Sequence, residues 1–153
     1  MSRQIVVAVD LEAHFATSLV TYAQQFANTM GDTLNVLYVI EPKGTGGFFS
    51  FKNSTKVEAK TEDELAVLSQ EYLAQLNNAL PIPLEKEQLH IREGNIAETI
   101  NADIEELQAE LLVIGAESRT SLQQLLDRKG TSQLTRLADC NVLVVGKEHL
   151  GLA

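Results

Sequence analysis

The residues best suited to chemistry stand in the last third of the chain. The block Leu111-Leu-Val-Ile-Gly115-Ala-Glu-Ser118 is followed, after eleven residues, by Gly130-Thr131-Ser132. Apolar runs frame it: Leu111 to Ile114 ends in Gly115, and Val142 to Val145 ends in Gly146. This spacing reads as a buried strand entering a glycine turn, a crossing loop, and a Gly-Thr-Ser step that opens a helix. Free backbone N–H groups at a helix start, beside residues small enough to admit an anion, make a seat for phosphate. The Ser118 hydroxyl adds a side-chain donor. Arg119, Arg128 and Lys129 bring positive charge to the same stretch.

Other reactive side chains offer less. His14, His90 and His149 are scattered without ligand spacing, so no metal site is expected. Cys140 lies between a helix and an apolar strand, where a packed small residue is the expectation. A phosphorelay receiver needs an aspartate at the end of its third strand, and that position reads Glu93-Gly-Asn95. A P-loop needs Gly-Lys-Ser/Thr within a glycine frame, and Lys129-Gly130-Thr131 has the wrong order.

These groups need a scaffold, and the apolar pattern supplies one. Ile5 to Val9 is a continuous apolar run, as for a strand covered on both faces; Leu34 to Ile40 is a second buried-looking strand, and Leu111 to Ile114 and Val142 to Val145 are further apolar strand runs. Leu89 to Arg92 alternates apolar with polar residues, which suits a sheet edge. Between the strands, helical stripes run through Phe15, Leu19, Tyr22, Phe26 and Met30, then Leu65, Leu68, Tyr72, Leu76 and Leu80, then Ile96, Ile100, Ile104 and Leu107. Gly31-Asp32 stops the first helix, Thr61 with Glu64 has capping-box spacing, Pro81 and Pro83 end the second, and Asn95 caps the third. A further helix is expected near Thr131 to Ala138, and Lys43 to Lys60 reads as a long exposed loop.

Alternating strands and helices predict a single α/β domain over 1–153, with five parallel strands, helices on both faces and right-handed crossovers. Placing the apolar early strands centrally and the polar third strand outside suggests the order 3-2-1-4-5. In that order the winding reverses between strands 1 and 4, and a crevice opens above their carboxyl ends. Asp10 closes strand 1 and Gly115 closes strand 4, so both meet there.

Bulk properties narrow the partners. The formal charge of −9 argues against nucleic acid and against an anionic membrane surface. No apolar run is long enough to span a bilayer. The N-terminus enters its first strand at once, leaving no room for a signal peptide, and one cysteine suits a reducing compartment, so a cytoplasmic location is expected.

The glycine block resembles the C-terminal signature of the universal stress protein family, G-x2-G-x9-G-[ST]. Gly115 matches the first glycine, Gly130 the last, and Thr131 the Ser/Thr position. Ser118 stands at the second glycine, and the spacer has eleven residues against nine. The resemblance covers essentially the whole chain and implies an adenine nucleotide alpha hydrolase-like fold. In nucleotide-binding members, an aspartate ending strand 1 and backbone near the end of strand 2 hold adenine, which implies Asp10 and Val39. The last motif positions help bind ribose and phosphates, which implies Gly130 and Thr131, with Ser132 beside them. The implied ligand is ATP, ADP or AMP, with Mg²⁺ accompanying ATP. The alternative is a dimeric interaction protein of the same family that binds no nucleotide. No general base stands beside the phosphate seat, so a binding module is expected rather than an enzyme, with a slow ATPase or autokinase as the weaker option.

The last strand adds a homodimer to these expectations. Val142 to Val145 carries no charge or proline, yet the order 3-2-1-4-5 leaves it at an edge. Antiparallel pairing with the same strand of a second copy would satisfy the open backbone groups, as the resemblance also implies. The competing arrangement folds the tail, Lys147 to Ala153, back over that edge.

Overall fold

The computed structural model describes residues 2–41, 60–116 and 140–151. Strands β1 (Gln4–Ala8), β2 (Thr33–Ile40), β3 (Leu89–Glu93), β4 (Leu111–Gly115) and β5 (Asn141–Val145) form one parallel sheet in the order β3-β2-β1-β4-β5. Helices α1 (Ala16–Met30) and α2 (Glu62–Ala79) cover one face, and α3 (Ile96–Leu107) covers the other. The helix expected near Thr131 to Ala138, and all but the last residue of the loop expected over 43–60, lie outside the described residues.

The two-residue repeat of a strand divides each apolar run between two cores. Ile5, Val7 and Val9 join Val36, Tyr38 and Val113 beneath α1 and α2. Val6 joins Leu37, Leu112 and Ile114 against Ile100 and Ile104 of α3. The runs of β1 and β4 are continuous in sequence because both faces of the sheet are buried there.

Helix ends follow their local chemistry. Gly31 takes the left-handed conformation (φ 71°) that closes α1, where a side chain would be strained. Thr61 accepts the Glu64 N–H at 3.2 Å, and the Glu64 carboxylate returns to the Thr61 N–H, completing the capping box of α2. Asn95 caps α3 through the Glu98 N–H at 3.1 Å.

The buried seam of α1 differs from the stripe of large residues. Ala16, Leu19, Val20, Ala23 and Ala27 face the sheet, Phe15, Tyr22 and Phe26 pack at its margins, and Met30 is 51% exposed. Small residues at the centre let the helix axis approach the sheet, so bulk alone misplaces the seam.

Strand β3 is an edge, and its polar residues meet a buried carboxylate. Asp103 of α3, its side chain 4% exposed, accepts from His90 Nδ1 at 3.0 Å and Arg92 Nε at 3.4 Å. His90 Nε2 faces the Glu87 carbonyl at 3.0 Å, so both ring nitrogens are held by neighbours. Burial raises the Asp103 pKa, but the hydrogen bond and charge of His90, with Arg92, outweigh it and hold the carboxyl below its ordinary range.

Because the folded state lowers this pKa, the stability it contributes is present above the unfolded carboxylate value of about 4 and is lost as pH falls through the folded value. Asp103→Ala should cost about 2 kcal/mol at neutral pH, since it leaves two polar partners of a charge-assisted network unpaired. The substitution should also flatten the acid limb of the stability profile. Urea denaturation from pH 2 to 7 measures both effects.

Candidate functional site

Strand β1 stops before the strands on either side of it. The β1–β4 ladder ends at Val7 with Val113, while the β4–β5 ladder continues to Gly115 with Val145. On the other side, Val9 N–H donates to the Leu37 carbonyl at 3.0 Å, while β2 stays paired with β3 as far as Ile40 and Glu93. Backbone groups alternate sides along a parallel strand. Since the Leu37 carbonyl faces β1, so do the N–H and C=O of Val39. The Glu110 carbonyl is taken by the Asn141 N–H, which turns the backbone of Leu111, Val113 and Gly115 toward β1. Val39 and Gly115 therefore direct hydrogen-bonding groups into the gap beyond β1, at the reversal of winding.

Asp10 sits at the mouth of that gap and is exposed. Its Oδ1 accepts the Glu12 N–H at 3.0 Å, and its carbonyl accepts the Ala13 N–H at 3.0 Å, so it shapes the turn into α1. It does not cap the helix: Phe15 is the N-cap, without a side-chain hydrogen bond.

Two tyrosines stand behind the turn. Tyr38 of β2 and Tyr72 of α2 pack edge to face with centroids 5.6 Å apart, and the Tyr72 hydroxyl donates to Glu12 Oε1 at 3.3 Å. Burial, followed by the negative charges of Asp10 and Glu12, pushes the Tyr38 phenol well above its ordinary range. Burial and Glu12 raise Tyr72 as well. Both phenols remain donors across the neutral range.

Gly115 closes β4, as its place at the end of the apolar run suggests, and its φ lies outside the left-handed region. A Cβ there would lie 3.1 Å from Leu150 Cδ1, 3.5 Å from Leu19 Cδ2 and 3.7 Å from Phe15 Cε2. Leu150 belongs to the 3-10 turn Lys147–Leu150, is 3% exposed, and is accompanied by His149 against Tyr22 at 5.2 Å. The tail thus lies against α1, and Val144 of β5 stays 42% exposed.

The structure brings Asp10, Val39 and Gly115 together around one gap. Ser118, Gly130, Thr131 and Ser132 lie outside the described residues. Leu150 and Tyr72 were not legible in the sequence as neighbours of the gap, because each arrives from a separate element, whereas Glu12 stands two residues from Asp10 in the same turn. Tyr38 likewise adjoins Val39 in the sequence. Among the described residues, no three His, Cys, Asp or Glu side chains gather to hold a metal.

A family model for the universal stress protein family matches residues 1–146. Solved structures share the fold at low identity. A universal stress protein family member from Burkholderia pseudomallei is 23% identical, with TM-score 0.52, covering 94% of this chain and 95% of its own. UspA from Lactobacillus plantarum is 20% identical, with TM-score 0.53 and coverage of 94% and 97%. A universal stress protein in complex with cAMP is 15% identical, with TM-score 0.53 and coverage of 95% and 97%. No curated protein matches the chain.

The Gly115 contact yields a steric test. Gly115→Ala should cost about 1 kcal/mol by overpacking, near the low end because Leu150 Cδ1 is the far end of a flexible side chain. Leu150→Ala should cost about 2 kcal/mol by leaving a cavity. In the Leu150→Ala background the added methyl has room, so Gly115→Ala should become nearly neutral. Urea unfolding of the four variants measures this coupling.

Proposed function

The chain belongs to the universal stress protein family, and we propose that it is a binding module for an adenine nucleotide, held at the carboxyl ends of β1 and β4. The observation that carries this reading is the early end of β1, with Val39 and Gly115 turning backbone donors and acceptors into the gap beside Asp10. A planar base with a donor–acceptor edge fits a backbone N–H and C=O on one strand, and Asp10 offers a carboxylate to an exocyclic amine or a ribose hydroxyl. The Gly130-Thr131-Ser132 step supplies the phosphate end of the reading by its sequence alone. The related fold crystallised with cAMP adds support by analogy. ATP, ADP and AMP share the recognised base and ribose, and Mg²⁺ would enter on the oxygens of a triphosphate. The role proposed is binding rather than catalysis.

One observation favours the nucleotide-free alternative. Contact with Leu150 already accounts for glycine at position 115, so that residue needs no phosphate to explain it. Thermal unfolding with millimolar ATP and Mg²⁺, and separately with AMP, decides between the two. A ligand at 100 times its dissociation constant adds about 2.7 kcal/mol, or roughly 5–10 °C for a chain of this size. An unmoved melting temperature with both ligands, and no heat in titration calorimetry, establishes the nucleotide-free form.

The partner proposed is a second copy joined through β5. This strand is an edge with Val144 open to solvent, while the tail packs on α1. Exposed apolar edges invite strand pairing. Light scattering at micromolar concentration should give the dimer mass, and Val144→Lys should give monomers. A monomeric parent protein defeats this arrangement.

A further inference from the structure

The turn that carries Asp10 is tied to α2 through one hydroxyl and a carboxylate. The Tyr38 and Tyr72 rings pack edge to face, with centroids 5.6 Å apart. The Tyr72 hydroxyl donates to Glu12 Oε1 at 3.3 Å, and the Glu12 N–H donates to Asp10 Oδ1 at 3.0 Å. The hydroxyl bond spans a separation of 60 residues and ties the middle of α2 to the β1–α1 turn. That turn has few other anchors of this kind: Asp10, Glu12 and His14 are exposed, and α1 begins without a side-chain cap. Tyr38 is buried and fixed in β2, so the ring stacked on it cannot drift.

We infer that Tyr72 is a positioning residue for Asp10: through Glu12 it fixes the turn, and so the direction in which the Asp10 carboxylate faces the gap. This inference rests on the adenine-nucleotide reading for its effect on affinity, but its structural half stands independently. Tyr72 needs no contact with the ligand. An aspartate that both shapes its own turn and faces a ligand must be held by something else, because one oxygen is already committed to the Glu12 N–H.

Tyr72→Phe keeps the ring and its packing on Tyr38 while removing the donor, so its melting temperature should stay close to that of the parent. Two readouts follow, and the first needs no nucleotide. Amide hydrogen exchange at Glu12, read by NMR, should accelerate about fivefold in Tyr72→Phe, the loss of roughly one net hydrogen bond. Glu12→Ala should weaken Asp10 placement in the same way, whereas Glu12→Gln keeps an acceptor oxygen and should hold the parent behaviour. The second readout is AMP affinity by calorimetry, expected to fall about fivefold in Tyr72→Phe. In an Asp10→Ala background the same substitution should have no further effect on affinity, whereas a general structural defect would lower it in both backgrounds. Unchanged Glu12 exchange in Tyr72→Phe overturns the positioning role whatever the ligand does. Accelerated exchange with unchanged AMP affinity overturns its consequence for binding. If the parent chain binds no AMP, the nucleotide reading falls, while the exchange data still decide the role of Tyr72.

Discussion

Strand β1 is hydrogen-bonded on both sides and buried on both faces, and it ends before β2 and β4 do. The rest of the site depends on that mismatch. A central strand that runs the full length of its neighbours leaves no open backbone between them. One that stops early exposes donors and acceptors in pairs, at fixed spacing, on a rigid frame. The reversal of winding places this opening at β1, since connections leave for β2 on one side and arrive at β4 from the other. Burial beneath α1, α2 and α3 then keeps the frame from adjusting, because interiors packed at crystal-like density resist deformation.

The formal charge of −9 bears on how an anion would be recognised in such a gap. Over long distances an acidic chain repels a nucleotide, but at physiological ionic strength charges more than about 8 Å apart are largely screened. What decides binding is then local. Backbone N–H groups present donors without the cost of desolvating an ammonium group, and they need no net positive charge. Asp10 and Glu12 at the mouth would serve the base and ribose end, well suited to hydroxyl and amine donors, and would disfavour phosphate there. Polarity along the gap would thus orient a nucleotide bound in the proposed way.

Several residues in this protein have two explanations, and the geometry separates them. Gly115 reads in sequence as a strand end entering a turn or as a phosphate approach, and in the fold it ends β4 and gives room to Leu150. Asp10 at a strand end can serve a turn, a helix cap or a ligand, and in the fold it braces the turn with one oxygen and leaves α1 uncapped. His90 and Arg92 read only as polar residues of an edge, yet they neutralise a carboxylate that burial would otherwise push toward protonation. Each outcome follows from what a neighbouring element brings within a few ångströms.

The strands, their order and the ends of the helices were legible in the sequence because they rest on short-range rules. Apolar runs mark strands buried on both faces, a polar alternation marks the edge, and Gly31, Thr61 with Glu64, and Asn95 act on backbone groups within one helical turn. The family motif was legible for the same reason, as a local spacing. The seam of α1 was not, because Ala16, Ala23 and Ala27 are buried by the distance at which the helix meets the sheet. Nor were the Leu150–Gly115 contact and the Tyr72–Glu12 bond, which join residues far apart in the chain. Sequence by itself determined which segments become strands and helices and which of them lie side by side. Only the tertiary structure decided where β1 stops relative to its neighbours and which side chains crowd its end, since register and packing are set by all the elements at once.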